Sequence, residues 1–283
     1  MSKNRSESER AVAELWGGRI SDFDTVMARL REDGVDTSSL TVDDVNKVDL
    51  MHMGGAESTD ELTERAGIIG GMEILDAGCG IGGTSRRIAY RTGAKVTGLD
   101  LTPSAVETGN RLSAHLGVDD RVSAVHGSVT DMPFDDGRFD VVIVQHCAMQ
   151  VEEKDRLFSE VARVLKPGGL LAMHDWFAGQ VAPPHYPLPW ADGPETSFLE
   201  SLDDAIGRLK AHGLSPEPFI DLKGSGVEWL TRSRSEIDRQ LADGGELTQT
   251  QQRNLAISQT MIPDLSEGRL LLGFLFARSA DQS

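Results

Sequence analysis

The sequence predicts an α/β protein built on a doubly wound, mostly parallel seven-stranded sheet. Three observations carry that prediction. From residue 72 to residue 177 short apolar runs alternate with helix-capable segments, the pattern of strands covered on both faces by crossover helices. The stretch 75–83 reads Leu-Asp-Ala-Gly-Cys-Gly-Ile-Gly-Gly and joins the first run to the first of those helices through a glycine turn, where missing Cβ atoms let a ligand lie against the main chain. Asp76, Asp100, Ser128, Gln145 and Asp175 stand at or beside the carboxyl ends of the runs, the edge where such sheets bind ligands. At 283 residues the chain suits one large domain. It divides into a helical N-terminal cap (1–70), a core (71–178), and a segment (179–283) holding a substrate-wall loop, lid helices and the last strands of the same domain.

Taken in order, residues 1–10 are too polar to fold by themselves, while 11–16 and 23–30 space their apolar residues by three and four and read as two short amphipathic helices. Residues 40–55 contain Asp49-Leu50-Met51-His52-Met53-Gly54-Gly55, and a helix follows over about 58–66, with a Ser/Thr start and an acidic first turn. Strands are expected at 73–77, 95–100, 121–126, 139–145 and 170–176, with helices at 84–92, 104–116 and 154–165 between them. Ser104, after Pro103, is placed to cap the second of these helices, and Lys166-Pro167-Gly168-Gly169 ends the last and starts the fifth strand. Residues 178–193 carry Pro183, Pro184, Pro187 and Pro189 with His185, Tyr186 and Trp190, a loop aromatic enough to form part of a substrate wall. A helix over 198–212 leads to a sixth strand near 217–222. A polar helical insertion containing Trp229 and Arg232 spans 226–260, and 269–278 reads as a buried last strand.

A glycine turn alone is ambiguous, because dinucleotide sites use the same turn for a pyrophosphate. Asp76, just ahead of Gly78, would repel a pyrophosphate but suits a cationic amino group. Asp100 closes the run Lys95-Val96-Thr97-Gly98-Leu99, where a carboxylate can accept bonds from both hydroxyls of a ribose. A cofactor with a ribose and an amino acid but no phosphate meets all three requirements. On these two motifs, Leu-Asp-Ala-Gly-Cys-Gly-Ile-Gly-Gly and Val-Thr-Gly-Leu-Asp, the chain resembles the class I S-adenosylmethionine-dependent methyltransferases.

The resemblance implies a Rossmann-like methyltransferase fold with an antiparallel seventh strand at 269–278, and S-adenosyl-L-methionine as cofactor. It implies cofactor-binding roles for His52, Gly55, Asp76, Gly78, Gly80, Asp100, Leu101, Ser128, Val129 and Gln145. The element His52-Met53-Gly54-Gly55 resembles a segment that folds over the methionine end of the cofactor in one branch of these enzymes. Residues 127–134 resemble the family's adenine-edge loop, with Ser128 where an acidic residue is common. The stretch from Met51 to Leu62, the Gly-Ser-Val loop and the C-terminal strand together resemble the sarcosine/dimethylglycine N-methyltransferase group, which implies an amine acceptor. Related sugar O-methyltransferases often carry a histidine pair after the fourth strand, where this chain has Met149 and Gln150. His146 is expected to face the helix layer. The candidate catalytic residues are Asp175, to orient the acceptor or take its proton, and His174 beside it; the alternative for Asp175 is a cap on the next loop.

A net charge of −17 argues against a nucleic-acid partner. Cys79 and Cys147 show no pairing pattern and fit a reducing compartment, and neither belongs to a C-x-x-C pair; with no close His, Cys or carboxylate spacing, no metal is expected. No apolar run approaches ~18 residues, so a cytoplasmic protein without a membrane partner is expected. Its partner would be a small-molecule methyl acceptor, and a homodimer stays open. Two other readings remain at this point: an O- or C-methyltransferase of a natural-product pathway, and a dinucleotide-dependent reductase or catalytically silent cofactor-binding scaffold. Residues 52–55 and 178–193 are expected to open and close over the site.

Overall fold

The computed structural model describes residues 6–50, 52–181 and 183–280. The polar start at 1–5, Met51 ahead of His52, and Ala182 in the aromatic loop lie outside them. Five parallel strands form the centre: β1 (Glu73–Ala77), β2 (Lys95–Asp100), β3 (Val122–His126), β4 (Phe139–Gln145) and β5 (Leu165–Ala178). They continue into β6 (Leu214–Pro216), β7 (Ile220–Asp221) and β8 (Leu270–Ser279). The order is β3-β2-β1-β4-β5-β8-β6, with β7 also on β8. β8 runs antiparallel to β5, as expected for the last strand, and β6 and β7 run antiparallel to β8. The expected single sixth strand is therefore two pieces. Pro216 and Pro218 lack the N–H that a continuous ladder would need, and the break falls between them and Ile220.

Ten helices appear among the described residues: α1 (Glu7–Gly17), α2 (Phe23–Glu32), α3 (Val42–Asp49), α4 (Gly55–Arg65), α5 (Gly83–Thr92), α6 (Pro103–His115), α7 (Lys154–Val164), α8 (Leu202–Ala211), α9 (Lys223–Ala242) and α10 (Gln249–Glu267). Helix α1 begins inside the stretch expected to be unfolded because Ser6 and Glu9 form a reciprocal cap, each side chain accepting the other's backbone N–H. The same device, Thr41 with Asp44, starts α3, which the apolar spacing alone did not reveal. Ser104 does not cap α6. Thr102 is the cap residue, with Pro103 in the first turn and no side-chain bond to the helix. The helix expected from 198 begins at Leu202, where the Ser201 hydroxyl accepts the Asp204 N–H.

The sheet buries one face under α7 and α8, through Leu75, Val142, Leu157, Phe158, Leu171 and Leu209. The other face is covered by α4 and α5, through Leu62, Ile74, Ile88, Val96 and Ile143. A third cluster joins Trp176 and Leu272 of the sheet to Trp190 and to Leu230, Ile257 and Met261 of α9 and α10. A fourth packs α2 and α3 on α6 through Leu30, Val45, Ala105 and Leu112, with Ile81 of the glycine turn in the same cluster. Among the described residues no helix is long and apolar enough to cross a membrane.

One buried ion pair ties the cap to the turn. Arg86 on α5 donates to Asp49 at the end of α3 (2.7 Å), and neither side chain is exposed. The same guanidinium donates to the carbonyls of Ile81 (2.6 Å) and Gly109 (3.1 Å), so it clamps the turn, α3 and α6 together. Gly83 is required beside it, since an added Cβ would lie 2.7 Å from the Asp49 carbonyl oxygen. Breaking a buried pair by removing one partner costs about 3–5 kcal/mol. Arg86→Met should therefore lower the unfolding free energy in urea by about that amount, with Asp49→Leu added to it recovering most of the loss. A change below ~1 kcal/mol, the scale of an exposed pair, would show that the pair does not hold the cap.

Candidate functional site

At the carboxyl ends of β1 to β4 lies a cavity of about 180 Å³. Its floor is the turn after β1. Gly78 sits at φ 84°, and an added Cβ there would collide with the Cys147 side chain, so only glycine lets the loop after β4 close against the turn. Gly80 faces the other way: a Cβ there would meet no atom within 4 Å, and the backbone borders open space. Asp100 at the end of β2 is oriented by two amides, with Oδ2 accepting from Gly80 N–H and Oδ1 from Thr102 N–H, both at 2.8 Å. Burial pushes its carboxyl above the usual range despite these bonds. Asp76 at β1 accepts the Ser85 hydroxyl at 2.6 Å, and burial raises its carboxyl to about 6.

Further along, Gln145 ends β4 and links three elements. Its Oε1 accepts from Thr84 Oγ1 (2.8 Å), and its amide reaches the Nδ1 of His174 (3.1 Å) and of His52 (3.4 Å). His52 is held by Thr59 (3.0 Å). Of the residues expected from the sequence, His52, Asp76, Gly78, Gly80, Asp100, Leu101, Ser128, Val129 and Gln145 line this one cavity. Gly55 does not; it opens α4 at φ 51°.

The structure places the two candidate catalytic residues, Asp175 and His174, outside the lining of this cavity. Asp175 is fully buried and does not line the cavity. Its Oδ2 accepts from Cys147 N–H (3.1 Å) and Ala148 N–H (2.7 Å), and its Oδ1 from Trp176 N–H (2.7 Å), so the carboxylate shapes the loop after β4 and has no oxygen turned to an acceptor. His174, on the opposite side of the strand, borders a separate cleft between α4 and α9. His146 is the converse case. It was expected to face the helices, yet it lines the cavity, at φ 50° and with Nδ1 accepting the Trp176 indole N–H at 3.2 Å. Rings of His52, His146 and His174 pack within 4.7–6.1 Å of one another. Burial lowers all three: His52 to about 4, His174 to about 3, and His146 well below its usual value with its two neighbours adding to the effect.

The rest of the lining was not legible from the core motifs. Helix α1 forms a roof with Glu9, Val12 and Trp16, and Ile20, Met149, Gln150, Pro189 and Trp190 complete one end. Trp16 donates to Gln150 (2.7 Å) and Arg19 to Pro189 O (3.1 Å), which fastens the roof to the aromatic loop. The amphipathic spacing placed Trp16 on a helix; nothing in the sequence said what that helix would cover.

A doubly wound sheet with a glycine turn, two oriented carboxylates and a roofed cavity at its carboxyl edge defines a ligand-binding α/β domain of the cofactor-using kind. Residues 75–173 match the family model described as a methyltransferase domain. A sterol 24-C-methyltransferase of Eremothecium gossypii is 34% identical over 178 residues, which is 60% of this chain and 48% of that protein. The chain thus spans about half the length of that relative, and less of others. Among solved structures, geranyl diphosphate C-methyltransferase from Streptomyces coelicolor A3(2) aligns over 98% of this chain and 99% of its own with a TM-score of 0.75 and 18% identity. A sarcosine dimethylglycine methyltransferase structure from Galdieria sulphuraria aligns over 81% and 86% with a TM-score of 0.66 and 19% identity. At such identities the likeness concerns the fold.

The buried histidines give a pH test. A folded pKa below the unfolded one means that protons favour the unfolded chain, so the stabilising contribution is complete above about 6.5 and is lost as pH falls toward the folded value. Wild type should lose about 2 kcal/mol more unfolding free energy between pH 7.5 and pH 5 than His174→Leu does. Equal losses, measured by urea titration at the two pH values, would mean that His174 takes up its proton in the folded protein as readily as in the unfolded chain.

Proposed function

We propose that the cavity binds S-adenosylmethionine and transfers its methyl group to an uncharged, largely apolar small molecule. The observation that supports the first half is the convergence of Asp76, Gly78, Gly80 and Asp100 on one open wall. Asp100, with both oxygens oriented by amides, would accept the ribose hydroxyls. Asp76 would face the amino group of the methionine part, whose positive charge compensates a carboxylate that is otherwise costly to ionise. When bound, the cofactor supplies a methyl group activated by a sulfonium. The chain's own task is to place an acceptor in line with that methyl and to keep water out.

The acceptor's character is read from the other end of the cavity. Val12, Trp16, Ile20, Met149, Val151 and Trp190 line it, and among the described lining residues there is no Lys or Arg. A carboxylate or diphosphate there would find acidic neighbours, Glu152 and Glu153, and no cation to pair with. The sarcosine-like amino acid implied by the flanking motifs is therefore the weaker reading. A hydrophobic acceptor also agrees with the Eremothecium gossypii relative being a sterol 24-C-methyltransferase. An amine entering neutral would need no base, whereas an alcohol or carbon acceptor would, and His146 is poorly suited to that: its Nδ1 is engaged by an indole N–H.

Incubation with isotopically labelled S-adenosylmethionine and a panel of acceptors tests the proposal. Label should appear in neutral apolar compounds such as sterols or prenylated phenols, at least about 100-fold faster than in sarcosine or geranyl diphosphate, the scale of an unpaired buried charge. Transfer only to the anionic compounds would overturn the acceptor assignment. For the cofactor, Asp100→Ala should weaken S-adenosylhomocysteine binding by about 1.5–3 kcal/mol in calorimetry. Wild-type affinity should fall about tenfold per pH unit below 6, as Asp76 takes up a proton, and Asp76→Asn should abolish that dependence. An unchanged affinity in Asp100→Ala, or the same acid limb in Asp76→Asn, would remove the residue from its role.

A further inference from the structure

The cavity's end beside β3 is completed by a residue from outside the core. After β3 the loop turns through Ser128, Val129 and Thr130, which line the cavity. Their two hydroxyls do not point free into it: Ser128 Oγ donates to Glu9 of α1, and Thr130 Oγ1 donates to the same carboxylate oxygen at 3.0 Å. The second oxygen of Glu9 accepts the Ser6 N–H at 3.1 Å. Glu9 itself lines the cavity and is partly buried under α1. The two hydroxyls also lie 2.8 Å from each other, so their protons are taken up among Ser128, Thr130 and Glu9, and the side chains of this corner offer a ligand lone pairs.

The sheet order says which part of the cofactor arrives there. Asp76, Asp100 and Ser128 stand at or just beyond the ends of β1, β2 and β3, and these strands are neighbours in the order β3-β2-β1. A molecule whose amino acid, ribose and base follow one another in a line, with the amino group at Asp76 and the ribose at Asp100, carries its base to Ser128 and Glu9. Adenine presents an exocyclic amine, a two-proton donor, on its outer edge. We infer that Glu9, on the N-terminal helix, accepts the adenine amino group and so gives the site its preference for adenine over a 6-oxo purine. This rests on the cofactor reading above and adds to it the residue that reads the base. It also makes α1 part of the ligand contact: α1 has no fully buried residue and is seated by Trp16, which packs on the third cluster and donates to Gln150, and by Glu9.

The test compares S-adenosylhomocysteine with S-inosylhomocysteine, which differs by a C6 oxygen in place of the amine, by titration calorimetry. Wild type should prefer the adenosyl compound by about 10- to 100-fold, the range of a hydrogen bond to a charged group. Glu9→Ala should shrink that preference to about threefold or less by weakening the adenosyl compound selectively. Glu9→Gln, whose amide can both keep the Ser6 cap and donate to the C6 oxygen, should shift the preference toward the inosyl compound. Glu7→Ala, an acidic change on the exposed side of the same helix turn, should leave the ratio at the wild-type value. If Glu9→Ala weakens both ligands by one factor, Glu9 serves only to seat the helix, and the inference falls while the cofactor reading stands. A wild type that binds both equally also overturns it. Binding of neither ligand by wild type would overturn the cofactor reading and this inference together.

Discussion

The buried contact between Arg86 and Asp49 is the constraint on which the site depends. A glycine turn that leaves its front face open to a ligand has only Cys79 and Ile81 to bury, so much of its shape has to be imposed from behind. Arg86 does this by donating to the Ile81 carbonyl inside the turn and to the Gly109 carbonyl on α6, while Asp49 neutralises it from the cap. An unpaired guanidinium in that position would carry a desolvation cost of several kcal/mol. The cap must therefore be docked for the turn to be stable, and docking α3 brings His52, three residues after Asp49, to the cavity. Cofactor wall and cap are linked through one pair of charges.

The cavity wall shows how a polar site is kept ready without ligand. Asp76 and Asp100 are desolvated carboxylates whose ionisation is opposed by burial and only partly offset by the Ser85 hydroxyl and by the amides of Gly80 and Thr102. A cationic amine and a pair of ribose hydroxyls are the partners such groups lack. Asp175 uses the same chemistry inward. Two of the hydrogen bonds it accepts, from the Cys147 and Ala148 amides, hold the loop that carries His146 in a left-handed conformation next to the cavity, so Asp175 supports the site from behind its lining.

The core was legible from sequence because parallel strands and their turns leave strong marks: the ends of β1, β2 and β4 fall where the apolar runs predicted. The motif residues from Asp76 to Gln145 came together because strand register alone puts strand ends on one edge. What sequence could not give was direction. His174 and Asp175 are adjacent on β5, and the run is so uniformly buried that alternation offers no clue to which one faces a ligand. Neither does. His146, expected to face the helix layer, turns to the cavity because its orientation depends on a positive φ in the loop that Asp175 holds. Glu9 lay in the stretch expected to be too polar to fold, and its place in the cavity was not legible, since the distance from Glu9 to Ser128 is closed by tertiary docking and not by local pattern.

The acceptor end has the opposite character, with indoles from Trp16 and Trp190 and no lysine or arginine among the described lining residues. Positioning, dryness and shape are what such a chamber contributes to a methyl transfer. The central claim is that one cavity holds cofactor and acceptor head to tail. The most direct measurement is a crystal structure with S-adenosylhomocysteine bound. The account predicts the ribose hydroxyls on the Asp100 carboxylate, the amino group at Asp76, and the sulfur facing the space between Trp16 and Trp190. A ligand seated in the cleft beside Trp229, or one whose sulfur faces away from the two indoles, would contradict it.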